Sequence, residues 1–387
     1  MRILMLNHNV AWSGGTFFRA FHFARQMAKR GHDVTLLTIS PKRRFGFRQE
    51  IRDGVRVVET PDLLWGRGRS GWDLWDTLRR TLYVRERTWD LVHAFDSRPA
   101  VILPALALQR QGVPLVLDWA DWWGRGGTIE ERTTGFAVRL LIGPIETYFE
   151  EAFRTVAQGT TVISSALLRR AIALGVRPET IAQIPQGSDV ENIRPLPRDA
   201  CRRALRLPEG SPIVGYLGIL NKSDAQLLFS TYECLRSIRP DCRLLMIGRH
   251  NVVVADIPGI VETGYVTQER LLEYLGVCDL MLLPLKNTVA SRGRWPSKIN
   301  DYLAAGRAVV ATVVGDAAEL FEQHAIGQAT LDTPEALARA ADALLSDVEG
   351  LRALERNARR VAENELAWPI LSEKLEMHYL SVLNRMS

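Results

Sequence analysis

Long apolar runs are missing from this 387-residue chain. None approaches the ~18 residues that cross a bilayer as a helix, so a membrane-spanning protein is not expected. Met1 to Leu6 gives way at once to Asn7, His8 and Asn9, which leaves too short an apolar stretch for a secretory signal. Cysteine is scarce as well. Cys201, Cys234, Cys242 and Cys278 show no CxxC spacing, which disfavours both a disulfide framework and a zinc site and fits reduced thiols in the cytoplasm. A GxGxxG fingerprint is absent, and no acidic residue closes the second strand, so a nicotinamide dehydrogenase is disfavoured. No DxD motif stands apart to hold a metal, and none is expected. Lysine is rare: six of the 49 basic residues, namely Lys29, Lys42, Lys222, Lys286, Lys298 and Lys374.

What the chain does have is apolar content, 47%, enough for about two domains that each bury a core. The net charge of +5 is unevenly placed. Residues 1–195 carry 27 Lys and Arg against 20 Asp and Glu, and residues 196–387 carry 22 against 24. The positive excess belongs to the first half.

Short apolar strands alternate with helical patterns along the whole length. Met1–Leu6, a Gly-rich loop, a helix over about Thr16–Arg30 and the strand Val34–Thr38 form a βαβ unit. Strands follow at Val55–Glu59, Leu91–Ala94, Leu115–Leu117 and Thr161–Ile163. The prolines of Arg194–Ala200 mark a linker. A second alternation places strands at Ile213–Leu217, Arg243–Ile247, Gly259–Glu262, Met281–Leu285, Val309–Val313 and Gln328–Leu331. Continuous apolar strands between helices imply parallel sheets covered on both faces. The expected fold is α/β, two doubly wound Rossmann-like domains, 1–195 and 196–368, facing across a cleft where ligands bind at strand carboxyl ends.

Trp295–Thr312, WPSKINDYLAAGRAVVAT, is the most informative stretch. Pro296 suits a first helical turn and Gly306 a left-handed helix end, which predicts a helix of about ten residues. Lys298 and Asp301 stand three apart on one face of its first turns. There a cation meets an anion and a carboxylate accepts hydrogen bonds from hydroxyls. The same spacing also suits a surface ion pair. Two loops after strands add to this. Trp12–Thr16 carries Gly14 and Gly15, which let a backbone approach a phosphate, and Gly218–Lys222 ends in a lysine able to reach one.

Residues 42–89 interleave Lys42, Arg43, Arg44, Phe45, Phe47 and Arg48 with Trp65, Trp72, Trp75, Arg79, Arg80, Arg85, Arg87 and Trp89. Basic residues among aromatics suit an anionic membrane surface. They equally suit a helix that buries Trp72, Trp75, Leu78 and Leu82 and shows its arginines to water. Nucleic acid is not expected, because no binding motif accompanies the charge.

Taken in order, these segments resemble the retaining GT-B glycosyltransferases of family 4. MRILMLNHNVAWSGGTFFRAFHFARQMAKRGHDVTLLT is similar to the family's opening strand, Gly-Gly loop and helix. VISSALLRRA, IPQGSDVENIRP, IVGYLGIL, RLLMIG, VETGYV and CDLMLLPL follow in family order, and PSKINDYLAAGRAVVATVVGDAAEL resembles its PxKxxEYxAxGxPVVAT segment. The resemblance implies transfer of a sugar, with retention, from a nucleotide-diphosphate sugar to a glycan, lipid-linked or small-molecule acceptor in cell-surface polysaccharide or glycolipid synthesis. It implies a donor domain over 196–368, an acceptor domain over 1–195, and a C-terminal helix, 369–387, returning to the first domain.

By the same likeness Asp301 holds the ribose hydroxyls and Gly14 and Gly15 face the diphosphate; proximity to the helix N-terminus adds Lys298, with a catalytic part, and Arg294, and the neighbouring loops add Gly218, Lys222, Arg249, Pro296 and Ser297 to the donor site. Asp121 orients the acceptor hydroxyl, with Asp118 behind it and His8 nearby. Three family positions are altered: the clamp arginine is Ile219, the first glutamate of E-x7-E is Gly293, and the active-site histidine is Ala120. A non-catalytic protein of this fold that binds a glycan or a partner is the alternative. The expected location is the cytoplasm, in contact with the inner face of the membrane.

Overall fold

The computed structural model describes residues 1–64, 66–131, 136–220, 222–250, 252–253 and 257–386. Trp65 and Asn221 of the loops named above lie outside them. The chain forms two compact units, Met1–Pro185 with Trp368–Ser387, and Gln186–Ala367.

In the first unit, eight strands among the described residues build one sheet: β1 (Arg2–Val10), β2 (Asp33–Ile39), β3 (Arg48–Arg52), β4 (Val55–Thr60), β5 (Leu91–Phe95), β6 (Leu115–Trp119), β7 (Gly159–Val162) and β8 (Ile181–Gln183). Their order is β3-β4-β2-β1-β5-β6-β7-β8. All pairs are parallel except β3 with β4. β5 and β6 are buried throughout, as helix-covered parallel strands must be. β1 pairs with β2 on one side and β5 on the other, so the strand order reverses there and a crevice opens at the carboxyl ends of β1 and β5.

β1 runs on to Val10, past the Leu6 where its apolar run stops. Asn7, His8 and Asn9 extend it because their side chains find partners at that crevice. The helix Thr16–Lys29 sets Phe17, Phe23 and Met27 into the same core as Trp368, Leu371, Leu375 and Tyr379 of the helix Trp368–Asn384.

The helix Leu74–Arg85 is turned the opposite way from the packed arrangement. It buries Asp76, Thr77, Arg80, Tyr83 and Val84, while Leu74, Leu78 and Leu82 face outward at 72%, 49% and 47% exposure. Arg80 explains the inversion. Fully buried, it donates to Asp76 at 2.8 Å, to the Asn7 carbonyl at 2.6 Å and to the Thr60 hydroxyl at 3.0 Å. A paired and hydrogen-bonded guanidinium tolerates the interior, and it takes the inner face that the leucines would otherwise hold.

In the second unit β9 (Ile213–Leu217), β10 (Arg243–Ile247), β11 (Ile260–Glu262), β12 (Leu280–Leu283), β13 (Ala308–Thr312) and β14 (Gly327–Thr330) form a parallel sheet in the order β11-β10-β9-β12-β13-β14. β9 pairs with both β10 and β12, which repeats the switch point. The unit begins at Gln186, upstream of the proline linker. Asn300 donates to the Gln186 and Gly187 carbonyls at 2.7 and 2.8 Å, and the Ser188 hydroxyl donates to the Asn300 carbonyl at 2.9 Å.

Candidate functional site

The helix that carries Lys298 and Asp301 runs Lys298–Ala304, seven residues, shorter than the expected ten. Pro296 and Ser297 form a tighter preceding turn, with Ile299 N–H on the Pro296 carbonyl at 2.9 Å and Asn300 N–H on the Ser297 carbonyl at 3.1 Å. Gly306 ends it at φ 61°, where a side chain is strained. Tyr302, fully buried, ties the helix to the sheet. Its hydroxyl accepts from Leu217 N–H at 3.0 Å, at the end of β9, and donates to the Leu282 carbonyl at 3.4 Å.

Lys298 and Asp301 are not a surface ion pair. The ammonium of Lys298 lies 4.1 Å from the centre of the Tyr216 ring. It donates to the Tyr216 hydroxyl and, at 3.3 Å, to the Ile219 carbonyl. Burial, reinforced by the charge of Arg294, pushes its pKa down to about 7 against the pull of Asp224 and Asp301. Asp301 makes no side-chain hydrogen bond among the described residues. Burial and the nearby charge of Asp189 push its pKa up to about 7, opposed by Lys298. A half-buried cation and a half-buried carboxylate with open lone pairs therefore share one face of one short helix. Perturbation of this kind marks functional sites.

Arg294 joins this group, 3.7 Å from the Asp224 carboxylate. Gly218, at φ 83°, closes β9 by donating to the Ile247 carbonyl at 2.8 Å, and its own carbonyl accepts from His250 at 2.9 Å. Lys222 is exposed on the first turn of the helix Lys222–Ile238. Arg249 is exposed and stacks at 5.5 Å over Tyr265. Pro296 is buried and Ser297 exposed. Sequence reasoning missed Tyr216, Asp224 and Asp189. Asp189 lay within the IPQGSDV segment, whereas Tyr216 reads from sequence as one more apolar strand position.

A second arrangement stands at the carboxyl ends of β1 and β5. A cavity of about 250 Å³ is lined by His8, Asp96, Arg98, Trp119, Ala120 and Asp121, among others. His8 Nε2 is 2.9 Å from Asp96 Oδ2. Its Nδ1 is 3.1 Å from the Ser70 hydroxyl and 3.5 Å from the Arg98 guanidinium. A guanidinium only donates, so Nδ1 is the acceptor and Nε2 carries the proton toward Asp96. Burial, with the charge of Arg98, lowers the His8 pKa and keeps the ring neutral at pH 7. Burial alone would raise Asp96; its interaction and hydrogen bond with His8, the charge of Arg98 and the Ser97 N–H outweigh it and hold the carboxyl well below the usual range. Asp96 adopts φ 91°, strain of the kind that clusters at functional sites. Asp96 and Arg98 are residues the sequence reading missed; their signal is an acidic and a basic residue just past a buried strand.

Asp118 lines the same cavity and is tied into the fold. Both its oxygens are committed: Arg19 donates from Nε at 3.1 Å and Nη2 at 3.0 Å, and the Thr161 hydroxyl donates at 2.5 Å. Arg19 also holds the Ile184 and Pro185 carbonyls at 2.8 and 2.9 Å. The carboxylate is therefore scaffold. Asp121 is exposed beside it. Gly14 and Gly15 adopt φ 102° and 62°, and a Cβ on Gly15 would stand 2.9 Å from the Asn9 amide nitrogen. Asn9 is held in turn, accepting from the Thr16 hydroxyl at 2.5 Å. No side chain caps the helix Thr16–Lys29, so its first amides stay open to an anion.

Two family models match the chain in succession. The glycosyl transferase 4-like domain covers residues 14–187 and the glycosyl transferases group 1 model covers residues 211–347. The chain is 23% identical over 365 residues, 93% of its length and 90% of the relative's, to a GDP-mannose-dependent alpha-mannosyltransferase of Mycobacterium tuberculosis. Among solved structures it is similar to the sucrose-phosphate synthase of Thermosynechococcus elongatus, with TM-score 0.75, 15% identity and all of both chains covered. It is also similar to Anabaena HepE in complex with UDP and glucose, with TM-score 0.70, 17% identity, and 98% and 100% of the two chains covered. With one model on each α/β unit in the expected order, the chain belongs to the group 1, family 4 glycosyltransferases of GT-B fold.

Proposed function

We propose that this glycosyltransferase moves a sugar from a nucleotide-diphosphate sugar to an acceptor hydroxyl with retention of configuration. Donor recognition falls to the second unit and acceptor recognition to the first. The observation that carries the reading is the placement on one helix face of a half-buried Lys298, 4.1 Å from the Tyr216 ring, and a half-buried Asp301, each with its pKa moved to about 7. Lys298, with Arg294, Lys222 and Arg249, meets the diphosphate. Asp301 accepts from the ribose hydroxyls. Charge developing on the leaving diphosphate is met by these cations, which is the largest electrostatic contribution available. The acceptor oxygen forms its bond to the anomeric carbon as the bond to the phosphate oxygen breaks, and its proton passes to that phosphate oxygen. Asp121 orients the acceptor hydroxyl, with His8 and Asp96 shaping the polar wall beside it.

The similar proteins named above include a GDP-mannose-dependent enzyme and one bound to UDP and glucose, so the base is an experimental question. A thermal-shift panel of UDP, GDP, dTDP and ADP with their common sugars tests the reading. At ~100 times its dissociation constant a ligand adds about 2.7 kcal/mol. A selective shift with one base supports the proposal; no shift from any of them contradicts it.

The acceptor is read as a lipid-linked or glycan hydroxyl at the cytoplasmic face of a membrane. No helix of the described residues is long and apolar enough to cross a membrane, so contact would be peripheral. The outward stripe Leu74, Leu78 and Leu82, with Phe45 at 76% exposure, supports such contact. Arg43 donates to the Leu63 carbonyl, and Arg79 lies 5.3 Å from the Phe47 ring and 5.4 Å from the Trp75 ring. Exposed apolar residues interleaved in sequence with arginines suit an anionic headgroup layer.

A further inference from the structure

The amino ends of β12 and β13 carry a dense group of arginines that the proposed reaction does not use. Arg307 leads into β13, and Cys278 and Asp279 lead into β12. A concavity of about 460 Å³ there is lined by Arg198, Arg307, Arg352, Glu355, Arg356 and Arg359, among others. Five guanidinium groups face one carboxylate, and that carboxylate is shared: Glu355 Oε1 accepts from Arg198 and, at 3.2 Å, from Arg307. Asp279, just outside, is taken by Arg198 at 3.1 Å and Arg202 at 2.6 Å. Arg359 spends its donors on Glu363 and on the Val190, Ile193 and Ala304 carbonyls.

Two cations are left over. Arg352 and Arg356 lie one turn apart on the helix Val348–Asn364 and make no ion pair among the described residues. Below them Arg307 is only 4% exposed, and its Nε has no hydrogen-bond partner. A buried guanidinium N–H without a partner is costly, and guanidinium groups match phosphate oxygens in geometry as well as charge.

We infer that this concavity is a second binding site, for a phosphorylated small molecule whose phosphate is met by Arg352 and Arg356 above Arg307. The volume exceeds what a bare phosphate fills, so the ligand carries a body of sugar size. The site lies at the opposite end of the sheet from Gly218, so it is separate from the donor. It also touches the donor helix: Arg359 holds the last carbonyl of Lys298–Ala304, Ala304, at 2.7 Å, and Gly306 joins that helix to Arg307. Occupancy therefore bears on the position of Lys298 and Asp301, a consequence that rests on the donor reading above; the binding itself does not.

Calorimetric titration of the full chain with ribose 5-phosphate tests the site, with ribose as control. The expected result is one-to-one binding of the phosphate ester and none of ribose. Affinity should fall at least tenfold in the double variant Arg352→Ala/Arg356→Ala, be largely kept in Arg352→Lys/Arg356→Lys, and be unchanged in Lys298→Ala. Melting temperatures near wild type establish that the variants fold. Absence of binding to the wild type, equal binding by the double alanine variant, or loss only in Lys298→Ala would each overturn the proposal. The last outcome leaves the donor reading standing, so failure of one is distinguishable from failure of the other.

Discussion

The ammonium of Lys298 sits against the face of Tyr216, 4.1 Å from the ring centre, half-buried and with no ion-pair partner within 4 Å among the described residues. The ring face attracts the cation while excluding the water that would hold its pKa near 10.5. The apo protein thus holds Lys298 near its midpoint at neutral pH, with a pKa of about 7. A bound diphosphate favours the charged form. Nucleoside diphosphate binding should therefore take up a proton, with uptake largest between about pH 7 and the pKa of the bound state. Calorimetry in buffers of different ionisation enthalpy reads this directly. In Lys298→Met the uptake should give way to proton release from Asp301, whose own pKa is about 7 and whose ionised form accepts from the ribose.

Asp118 and Asp121 stand three residues apart, and their variants should separate cleanly. Asp118→Ala leaves Arg19 buried and uncompensated, a loss of about 3–5 kcal/mol of stability for a broken buried pair. Asp121 is exposed, so Asp121→Ala should leave the melting temperature within a degree or two and lower kcat. Equal effects of the two on stability would remove Asp118 from the scaffold.

Acid should loosen the first unit. Burial lowers His93 to about 3 and His378 to about 4, in the latter case with help from Arg385. His93 is clasped between the Tyr379 hydroxyl at 2.6 Å and the Thr161 hydroxyl at 3.3 Å. Below their unfolded pKa of about 6.5 the unfolded chain binds more protons than the folded one. Stability is therefore full above pH 6.5 and is lost progressively as pH falls toward 3–4. Urea midpoints measured from pH 7.5 to pH 4.5 should fall steadily, and His93→Gln should flatten the decline.

The leucine stripe makes a prediction about membranes. Wild-type protein should float with vesicles containing anionic phospholipid and not with neutral ones, and the double variant Leu78→Glu/Leu82→Glu should remain in the dense fraction. Both leucines are about half exposed, so folding should survive the change. Failure of the wild type to float would sink the peripheral-contact reading.

Most of both sheets was legible, because parallel strands covered on both faces must be continuous apolar runs. β3 and β8 were not. Arg48–Arg52 is an edge strand of the sequence RQEIR, held only by antiparallel pairing with β4, and Ile181–Gln183 is three residues long. Neither carries a pattern that distinguishes it from loop. The orientation of Leu74–Arg85 was likewise hidden. Its pattern suited exposed and buried leucines equally, and the long-range bonds of Arg80 to Asn7 and Thr60 decide for exposure.

At the candidate sites, local chemistry was legible and pairing across strands was not. Gly14, Gly15 and Gly306 announce positive φ by identity, and Lys298 and Asp301 share a face by spacing alone. Tyr216 reaches Lys298 from 82 residues away, and Asp96 meets His8 only because β5 lies beside β1. Such partners follow from strand order, which a single sequence states only indirectly.

The central claim is that Lys298 holds the diphosphate and Asp301 the ribose, and one calorimetric series separates the two. Wild type, Lys298→Ala and Asp301→Ala should be titrated with the nucleoside diphosphate selected by the thermal-shift panel and with inorganic pyrophosphate, which has no ribose. Lys298→Ala should weaken both ligands by about 1.5–3 kcal/mol, the worth of a charge-assisted contact. Asp301→Ala should weaken the nucleoside diphosphate by about 1–3 kcal/mol and leave pyrophosphate unchanged or slightly tighter. Unchanged nucleotide affinity in both variants would contradict the assignment of the donor to this helix.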